Sequence, residues 1–405
     1  MKYLHKIRSS LELVNEIYIY GLGDTMDKNN TIEKRMIGYN SFKCIADKCK
    51  FTCCSGWDIN VDSNTYEKWN KEKNKCKDML NKLKFIDNDY IIVNKKTSDT
   101  CPFLDNKGLC DIVKSNGDEY LSLTCQRFPR IENKFEGIKE FTLSCSCPEV
   151  VDIIEKVEEE IILVNCNNNA DDIDLPIEIK IRDTIIKIIK EENINIESKL
   201  LISYRMLLNI LDNEELTEEI VLNELEKYNN IILQETLQNK IDYNKTFRTI
   251  NNLFLDIIEN YKDVPVLKSS LNYISQISMK IYRGQIKTSE LIELWNEFID
   301  YFSKYNKFIE KCIVTKVLGN CLNEDIEEIA INLELIILEY VLLRYSVFLK
   351  VFLGDKENLL QNIKEYIVVF SRIINNNSDA VVEFIEEQYG DILFTVEYLQ
   401  KISIV

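Results

Sequence analysis

The pattern of apolar positions changes character part-way along the chain. Beyond about residue 177, apolar residues recur at i, i+3, i+4 and i+7 in LLISYRMLLNIL (200–211), ELIELWNEFIDYFSKY (290–305), LELIILEYVLLRYSVFLKVFL (333–353) and AVVEFIEEQYGDILFTVEYL (380–399). That spacing puts one apolar stripe on each segment and predicts amphipathic helices packed on a common core. No fixed-period repeat runs through them. Before residue 165 the elements are shorter and mixed. Trp57 to Val61 alternates and predicts a strand, after which Asp62 or Ser63 can cap a helix running through Tyr66 and Trp69 towards Leu83. Asp89 to Val93 predicts a second strand, and Asp118 to Cys125 a short helix. Arg130 to Ser146 reads as a hairpin turning near Glu136-Gly137, with Phe141, Leu143, Cys145 and Cys147 on one face of its second strand. A helix is expected from Pro148 to about Val164.

These elements imply a mostly α protein with a small cysteine-rich α+β metal-binding region and a helical C-terminal domain. The scarcity of breakers, Gly 11 and Pro 5 in 405 residues, points the same way. The expected divisions are an N-terminal extension at 1–35, the cysteine-rich domain at 36–164, a linker at 165–176 and an acidic helical domain at 177–405. The linker NCNNNADDIDLP is polar and ends in Pro176.

Charge sharpens the division. Residues 1–150 carry 24 Lys+Arg against 22 Asp+Glu, whereas residues 151–405 carry 26 against 45, a net of −19. So acidic a surface argues against nucleic acid, whose affinity rests on phosphate contacts, and suits a cationic or lysine-bearing partner or simple solubility. No apolar run reaches the roughly 18 residues that span a bilayer, so no membrane partner is expected. The opening MKYLHKIR carries the charge of a signal peptide, but Glu12 and Glu16 interrupt the stretch that should be apolar. A cytoplasmic location follows as the expectation, with thiols kept reduced.

Ten of the thirteen cysteines lie before residue 151. Four stand within eleven residues, Cys44-x4-Cys49-x3-Cys53-Cys54, too close together for packing alone. Cys101, Cys110, Cys125, Cys145 and Cys147 follow, and the tight turn at Asp105–Gly108 brings Cys101 and Cys110 near each other. Soft thiolates suit zinc or an iron–sulfur cluster. Structural zinc usually shows paired C-x2-C knuckles, which are missing here. The one histidine, His5, stands apart, leaving all-cysteine ligation; irregular spacing with vicinal cysteines favours an iron–sulfur cluster over zinc. Cys76 lies on a lysine-rich helix that reads as exposed, and the isolated Cys166, Cys312 and Cys321 read as small core residues. With a single histidine, Ser-His-Asp and Cys-His schemes are excluded. No phosphate-binding glycine loop occurs, and Gly21-Leu22-Gly23 lacks the third glycine of a dinucleotide site.

The string FKCIADKCKFTCCSGWDINVDSNTYEKW (42–69), then CPFLDNKGLCDI, LSLTCQRFPR and SCPEV in that order, resembles the flagellin lysine-N-methylase family. The front part also resembles a broader group of zinc- or iron-chelating proteins with a C-x2-C-x2-CC-like motif, from which its spacings of x4 and x3 depart. It is not the C-x3-C-x2-C of radical S-adenosylmethionine enzymes. The resemblance implies methyl transfer from S-adenosylmethionine to the ε-amino group of flagellin lysines, in the cytosol before export. The expected cofactors are then S-adenosylmethionine and a 4Fe–4S cluster, held among Cys44, Cys49, Cys53, Cys54, Cys101, Cys110, Cys125 and Cys147. Beside them, Trp57 could stack on a sulfonium or adenine, Asp58 could receive the lysine proton, and Arg127 could clamp a carboxylate. Each also has an ordinary structural reading: core tryptophan, capping aspartate, ion-paired arginine. Tyr340 and Arg344, one turn apart, could face a cleft or form a helix stripe. The alternative function is a non-enzymatic metal-binding module or a redox iron–sulfur protein; a third reading is an interaction protein that uses its acidic helices.

Overall fold

The hairpin expected between Arg130 and Ser146 forms one side of the larger of two sheets. The computed structural model describes residues 32–86, 88–95, 100–135, 137–166, 175–231, 243–390 and 395–403. The expected extension up to residue 31, with His5 and Gly21-Leu22-Gly23, most of the expected linker (167–174) and Glu136 in the hairpin turn lie outside the described residues. Strands β1 (Ile32–Met36), β2 (Ile59–Val61), β3 (Leu83–Ile86), β4 (Asp89–Ile92), β5 (Arg130–Phe135), β6 (Ile138–Leu143) and β7 (Leu163–Asn165) divide between the two sheets. One runs β5-β6-β1-β7, with β1 parallel to β6 and antiparallel to β7; the other is the antiparallel β2-β4-β3. Short helices accompany the sheets: α1 (Ser63–Lys71), α2 (Lys73–Asn81), α3 (Asp111–Asn116), α4 (Leu123–Arg127) and α5 (Pro148–Lys156).

The rest of the described chain is helical, as its periodicity predicts: α6 (Ile177–Ile189), α7 (Ile196–Leu211), α8 (Glu218–Ile231), α9 (Tyr243–Ile258), α10 (Pro265–Tyr282), α11 (Thr288–Phe302), α12 (Asn306–Asn320), α13 (Ile326–Phe352), α14 (Leu359–Ile374), α15 (Ser378–Tyr389) and α16 (Val396–Ser403). The protein is thus mostly α, with a small cysteine-rich sheet region and a helical C-terminal part. Helix α13 is buried all round from Leu333 to Leu349, Glu334, Glu339 and Arg344 included, the pattern of a central core helix. No described helix is long and apolar enough to cross a membrane.

Two cores result. The large one runs from Met36 and Phe42 through Leu143, Cys145 and α5 to Ile402, so the first strand, the end of the hairpin and α5 share it with the helices. Its aromatic centre is Trp295, with Phe348 at 4.9 Å, Phe298 at 5.1 Å and Phe247 at 5.5 Å between ring centroids. The small core is separate and consists of Ile59, Val61, Trp69, Cys76, Met79, Ile92, Cys101, Phe103, Ile112 and Tyr120.

Several boundaries differ from expectation, some through tertiary contacts and some through local caps and spacing. The helix starting at Ser63 is capped by Asp62, as expected, but breaks at Glu72, whose carboxylate accepts from Tyr120 Oη at 2.7 Å. Ser122 starts a new helix by capping α4, so Asp118 to Cys125 is a 3-10 turn followed by α4. The helix from Pro148 ends at Lys156, and 163–165 pairs with β1 as an edge strand. In β6 the buried face is Ile138, Glu140 and Thr142, while Phe141 is half-buried; Cys145 and Cys147 lie in the turn after the strand. The signal hidden from apolar periodicity is the ion pair between Glu140 and Arg182 of α6, both 1% exposed. Cys76 is buried in the small core, because the Cys76/Met79 spacing turns both inward despite the surrounding lysines. Cys166 is exposed, while Cys312 and Cys321 are buried as expected.

Candidate metal centre

The loop that carries the first four cysteines is made almost entirely of turns. Ala46 sits at φ 49° and donates its N–H to Cys44 Sγ at 3.4 Å, opening a 3-10 turn that ends at Cys49. Thr52 Oγ1 accepts from the Cys54 amide at 3.2 Å, and Trp57 Nε1 donates to Cys53 O at 2.7 Å, closing the loop over the double cysteine. The Cys101 amide then donates to Cys54 O at 2.8 Å, stitching the second cysteine segment to the first. Asp105 Oδ1 holds the expected tight turn by accepting from the Lys107 and Leu109 amides, and Gly108 takes the φ of +79° that a side chain would resist. A bridge between Leu104 and Cys110 completes that turn, and Cys110 caps α3. Ser122 Oγ accepts from the Cys125 amide at 3.3 Å at the start of α4, and Cys147 caps α5.

The expected ligands fall in two neighbourhoods. Cys54, Cys101, Cys110 and Cys125 pack on the small core. Cys147 belongs to the large core and lies in electrostatic reach of Cys49, which also feels Cys53 and the exposed Cys44. The vicinal thiols of Cys53 and Cys54 hydrogen-bond to each other. This bond lowers Cys53 to about 7, against its burial and with help from the Arg372 guanidinium. The same bond raises Cys54, with burial and the charges of Cys53, Cys101 and Cys110 adding to it. Burial pushes Cys101 up to about 11 and Cys125 and Cys147 up to about 12. As they stand, no group of three or more His, Cys, Asp or Glu side chains among the described residues could hold a metal ion. The thiols are neighbours in charge without yet converging on one point.

The other expected site residues are dispersed around the loop. Trp57 is half-buried and tilts against Phe128, ring centroids 5.9 Å apart. Asp58 is exposed and accepts from the Asn94 amide at 2.9 Å. Arg127, about half exposed, pairs with Glu132 at 3.3 Å. Cys145, outside the eight expected ligands, is buried against Cys312 of α12, and a thiol–thiol hydrogen bond joins them. Tyr340 and Arg344 are buried, and both reach Glu197 of α7.

Periodicity gave no warning of Arg372 on α14. Its Nε donates to Ser146 O and its Nη1 to Thr52 O, both at 2.9 Å, and its Nη2 donates to Phe51 O. One helical residue therefore binds the cysteine loop and the turn before Cys147 together. The available signal was a lone arginine inside the apolar run IVVFSRII (367–374).

Comparison with known proteins adds three findings. A family described as FliB lysine N-methylase C-terminal domain matches residues 182–402, more than half of the chain. The chain is 32% identical over 121 residues, 27% of its length, to a protein named Lysine-N-methylase from Salmonella choleraesuis (strain SC-B67), and equally to its namesake from Salmonella typhimurium. The match spans 29% of the length of those curated relatives. It also covers 68% of a protein named Flagellar biosynthetic protein FliU from Salmonella muenchen, again at 32% identity. No solved structure matches.

Proposed function

The chain belongs to the FliB lysine N-methylase family, and from that premise we propose that it methylates the ε-amino group of lysines on flagellin, with S-adenosylmethionine as donor. The observation that carries this reading is the family match over residues 182–402. The name FliU, borne by a relative, supports a flagellar substrate, and the net charge of −19 in residues 151–405 suits a lysine-bearing one.

The chemistry asks for little covalent help. The neutral lysine nitrogen attacks the sulfonium methyl carbon, the carbon–sulfur bond breaks to leave S-adenosylhomocysteine, and one proton leaves the nitrogen. The protein must desolvate and align the amine and accept that proton. We assign the proton to Asp58, exposed beside the double cysteine, and the aromatic face to Trp57, whose indole is fixed by Cys53 O. Arg127 is assigned the carboxylate of the donor; its present partner, Glu132, is on the surface and can be exchanged. The enclosed cavity beside Lys316 and Tyr366 is about 10 Å³, room for one water and far below the few hundred Å³ a ligand of that size occupies, so the donor belongs elsewhere.

The donor set fits a soft metal centre: all thiol, free of disulfides and half-buried to buried apart from Cys44. Cys44, Cys49, Cys53, Cys54, Cys101, Cys110, Cys125 and Cys147 would supply the ligands of a 4Fe–4S cluster, or of zinc. Bound there, the metal supplies a cross-link between loops and an electron-poor site able to take amino and carboxylate groups. The test is incubation of anaerobically purified protein with methyl-labelled S-adenosylmethionine and flagellin. Label on lysine is expected, and Asp58→Asn should slow its appearance by about a hundredfold. No label on lysine, with metal content intact, overturns the activity and leaves a metal-binding or redox protein.

A further inference from the structure

We propose that Arg372 is the positioning residue of the thiol centre: it clamps the Cys49–Cys54 loop to the turn before Cys147 and supplies the positive charge that balances an anionic, thiolate-bound metal. This rests on the metal reading above and extends it to a residue of the helical part of the chain.

The argument begins with a charge that lacks a counterpart. Arg372 is 6% exposed, and its guanidinium is always cationic. Among the described residues no aspartate or glutamate pairs with it; its donors go to the carbonyls of Phe51, Thr52 and Ser146. Among the described residues the other buried cations are matched: Arg182 with Glu140, Lys316 with Glu339, Lys199 with Glu310 and Arg344 with Glu197. Carbonyls offer dipoles and no net charge, and a buried ion left unbalanced costs several kcal/mol. Arg372 lies in the last turn of α14, whose carbonyl end returns about 0.3–2 kcal/mol of that. The remaining negative charge within reach belongs to sulfur: Cys53, Cys49, Cys147 and Cys54 are the groups whose charge Arg372 feels. Four neutral thiols would leave the cation unbalanced. Metal binding deprotonates them outright, and a four-thiolate zinc or 4Fe–4S centre carries net negative charge. The guanidinium is thus placed where a thiolate centre would balance it, and each of its three bonds lands next to a cysteine: Thr52 precedes Cys53, Phe51 follows Cys49 by two, and Ser146 precedes Cys147.

The full chain is purified without oxygen, loaded in separate arms with ferrous iron plus sulfide or with zinc alone, and desalted. Wild type is expected to retain metal in at least one arm. Arg372→Gln should then release it to a chelator faster by about tenfold or more, the size usual for a group that holds metal ligands in place. Arg372→Lys keeps the charge and should recover most of the loss. In the iron arm the reduction midpoint of Arg372→Gln should move to more negative potential, because removing a nearby cation disfavours the incoming electron, while Arg372→Lys stays near wild type. Lys364→Gln serves as the packing control: it breaks the contacts of α14 with Asp152 and Glu155, about two turns from Arg372, and should behave as wild type. Release and potential unchanged in Arg372→Gln overturn the proposal, as does equal loss in all three variants, which would mark a packing effect. Wild type that keeps no metal in either arm overturns it together with the metal reading. Wild type that keeps metal but does not methylate flagellin removes only the activity.

Discussion

Trp69 and Trp295 are both fully buried, yet the cores around them are built on different principles. Trp69 donates its indole N–H to Tyr120 O at 3.0 Å, and it sits in a core of ten buried side chains, Cys76 and Cys101 among them, wrapped by turns, short strands and the thiols of Cys54, Cys110 and Cys125. Trp295 finds no hydrogen-bond partner for its indole N–H among the described residues and is held by a ring of aromatic side chains, with the Arg344 guanidinium 4.9 Å above it. The helical core derives its order from burial, and several of its charges are closed by ion pairs, such as Lys316 with Glu339 and Arg344 with Glu197. The small core buries less apolar surface and depends more on local hydrogen bonds and, on the metal reading proposed above, on a metal held by its thiols. Chemistry-bearing residues thus collect where the backbone is shaped by turns, and bulk stability collects where it is not.

The strongest way to break this comparison is to load the protein with the proposed metal and then remove it. Chelation of the loaded protein should speed amide hydrogen exchange across β2, α1 and α4 by about a hundredfold or more, since binding free energy at such a site is folding free energy. Exchange in α13 and α14 should hardly change. Equal acceleration in both regions would show one cooperative unit and erase the distinction.

Next in size is the seam between sheet and helices. Glu140 and Arg182 are each 1% exposed and joined by paired contacts, so Glu140→Ala leaves a buried guanidinium whose remaining partner is the half-exposed Asp183. A loss of about 3–5 kcal/mol in urea denaturation is expected, with Glu140→Ala plus Arg182→Met recovering much of it. A loss under about 1 kcal/mol would mean that the seam is wet.

That pair also shows where reading by pattern stops. The amphipathic helices from residue 177, the cap at Asp62 and the turn at Asp105–Gly108 were all legible, because each is decided within one or two turns of chain. The inward face of β6 was not. Alternation grouped Phe141 with Leu143, of which Leu143 is buried and Phe141 only half so, and the partner that makes Glu140 an inward residue lies forty-two positions away. The break at Glu72, made by Tyr120, and the edge strand β7 failed to show for the same reason. In the site, the cysteines announced themselves by spacing. Arg372 did not, since a lone arginine in an apolar helix is informative only once its surroundings are known. The pairing of Cys145 with Cys312 did not show either, because Cys312 comes from a distant helix.

The helical core has a titration of its own that sharpens the contrast. Burial raises the Glu334 carboxyl to about 8, against the lowering effect of the Tyr204 hydroxyl that donates to it. Between its ordinary value of 4.5 and about 8 the folded chain keeps this proton while the unfolded chain has lost it. The unfolded state then binds fewer protons, so stability falls as pH rises across that window and levels off above it. Glu334→Gln should remove the slope and be the more stable protein at pH 8.5, by on the order of a few kcal/mol. Urea midpoints at pH 5 and pH 8.5 measure it; parallel behaviour of the two proteins would mean that water reaches the carboxyl.

The smallest expected effect tests the small core at its hinge. Asp62 Oδ1 accepts from the Thr65 amide at 2.9 Å, and its Oδ2 accepts from the Thr65 hydroxyl at 2.7 Å and the Leu123 amide at 2.9 Å. One carboxylate therefore caps α1 and ties it to α4, which carries Cys125. Burial pulls its pKa up, but the hydrogen bonds from Leu123 and Thr65 outweigh it and hold the carboxyl below its usual range. A lowered carboxyl stabilises the fold at neutral pH and loses that contribution as pH falls below about 4. Asp62→Ala should cost about 1 kcal/mol as a lost cap, read from urea denaturation followed by Trp57 and Trp69 fluorescence, and Asp62→Asn less, because an amide oxygen can still accept at Thr65. If the small core depends on its metal as argued, the cost of Asp62→Ala should be larger in the chelated protein than in the loaded one, where the cross-link does the work of the cap. Equal cost in both states would mean that α1 and α4 are held by their own packing, and the two cores would then differ in size alone.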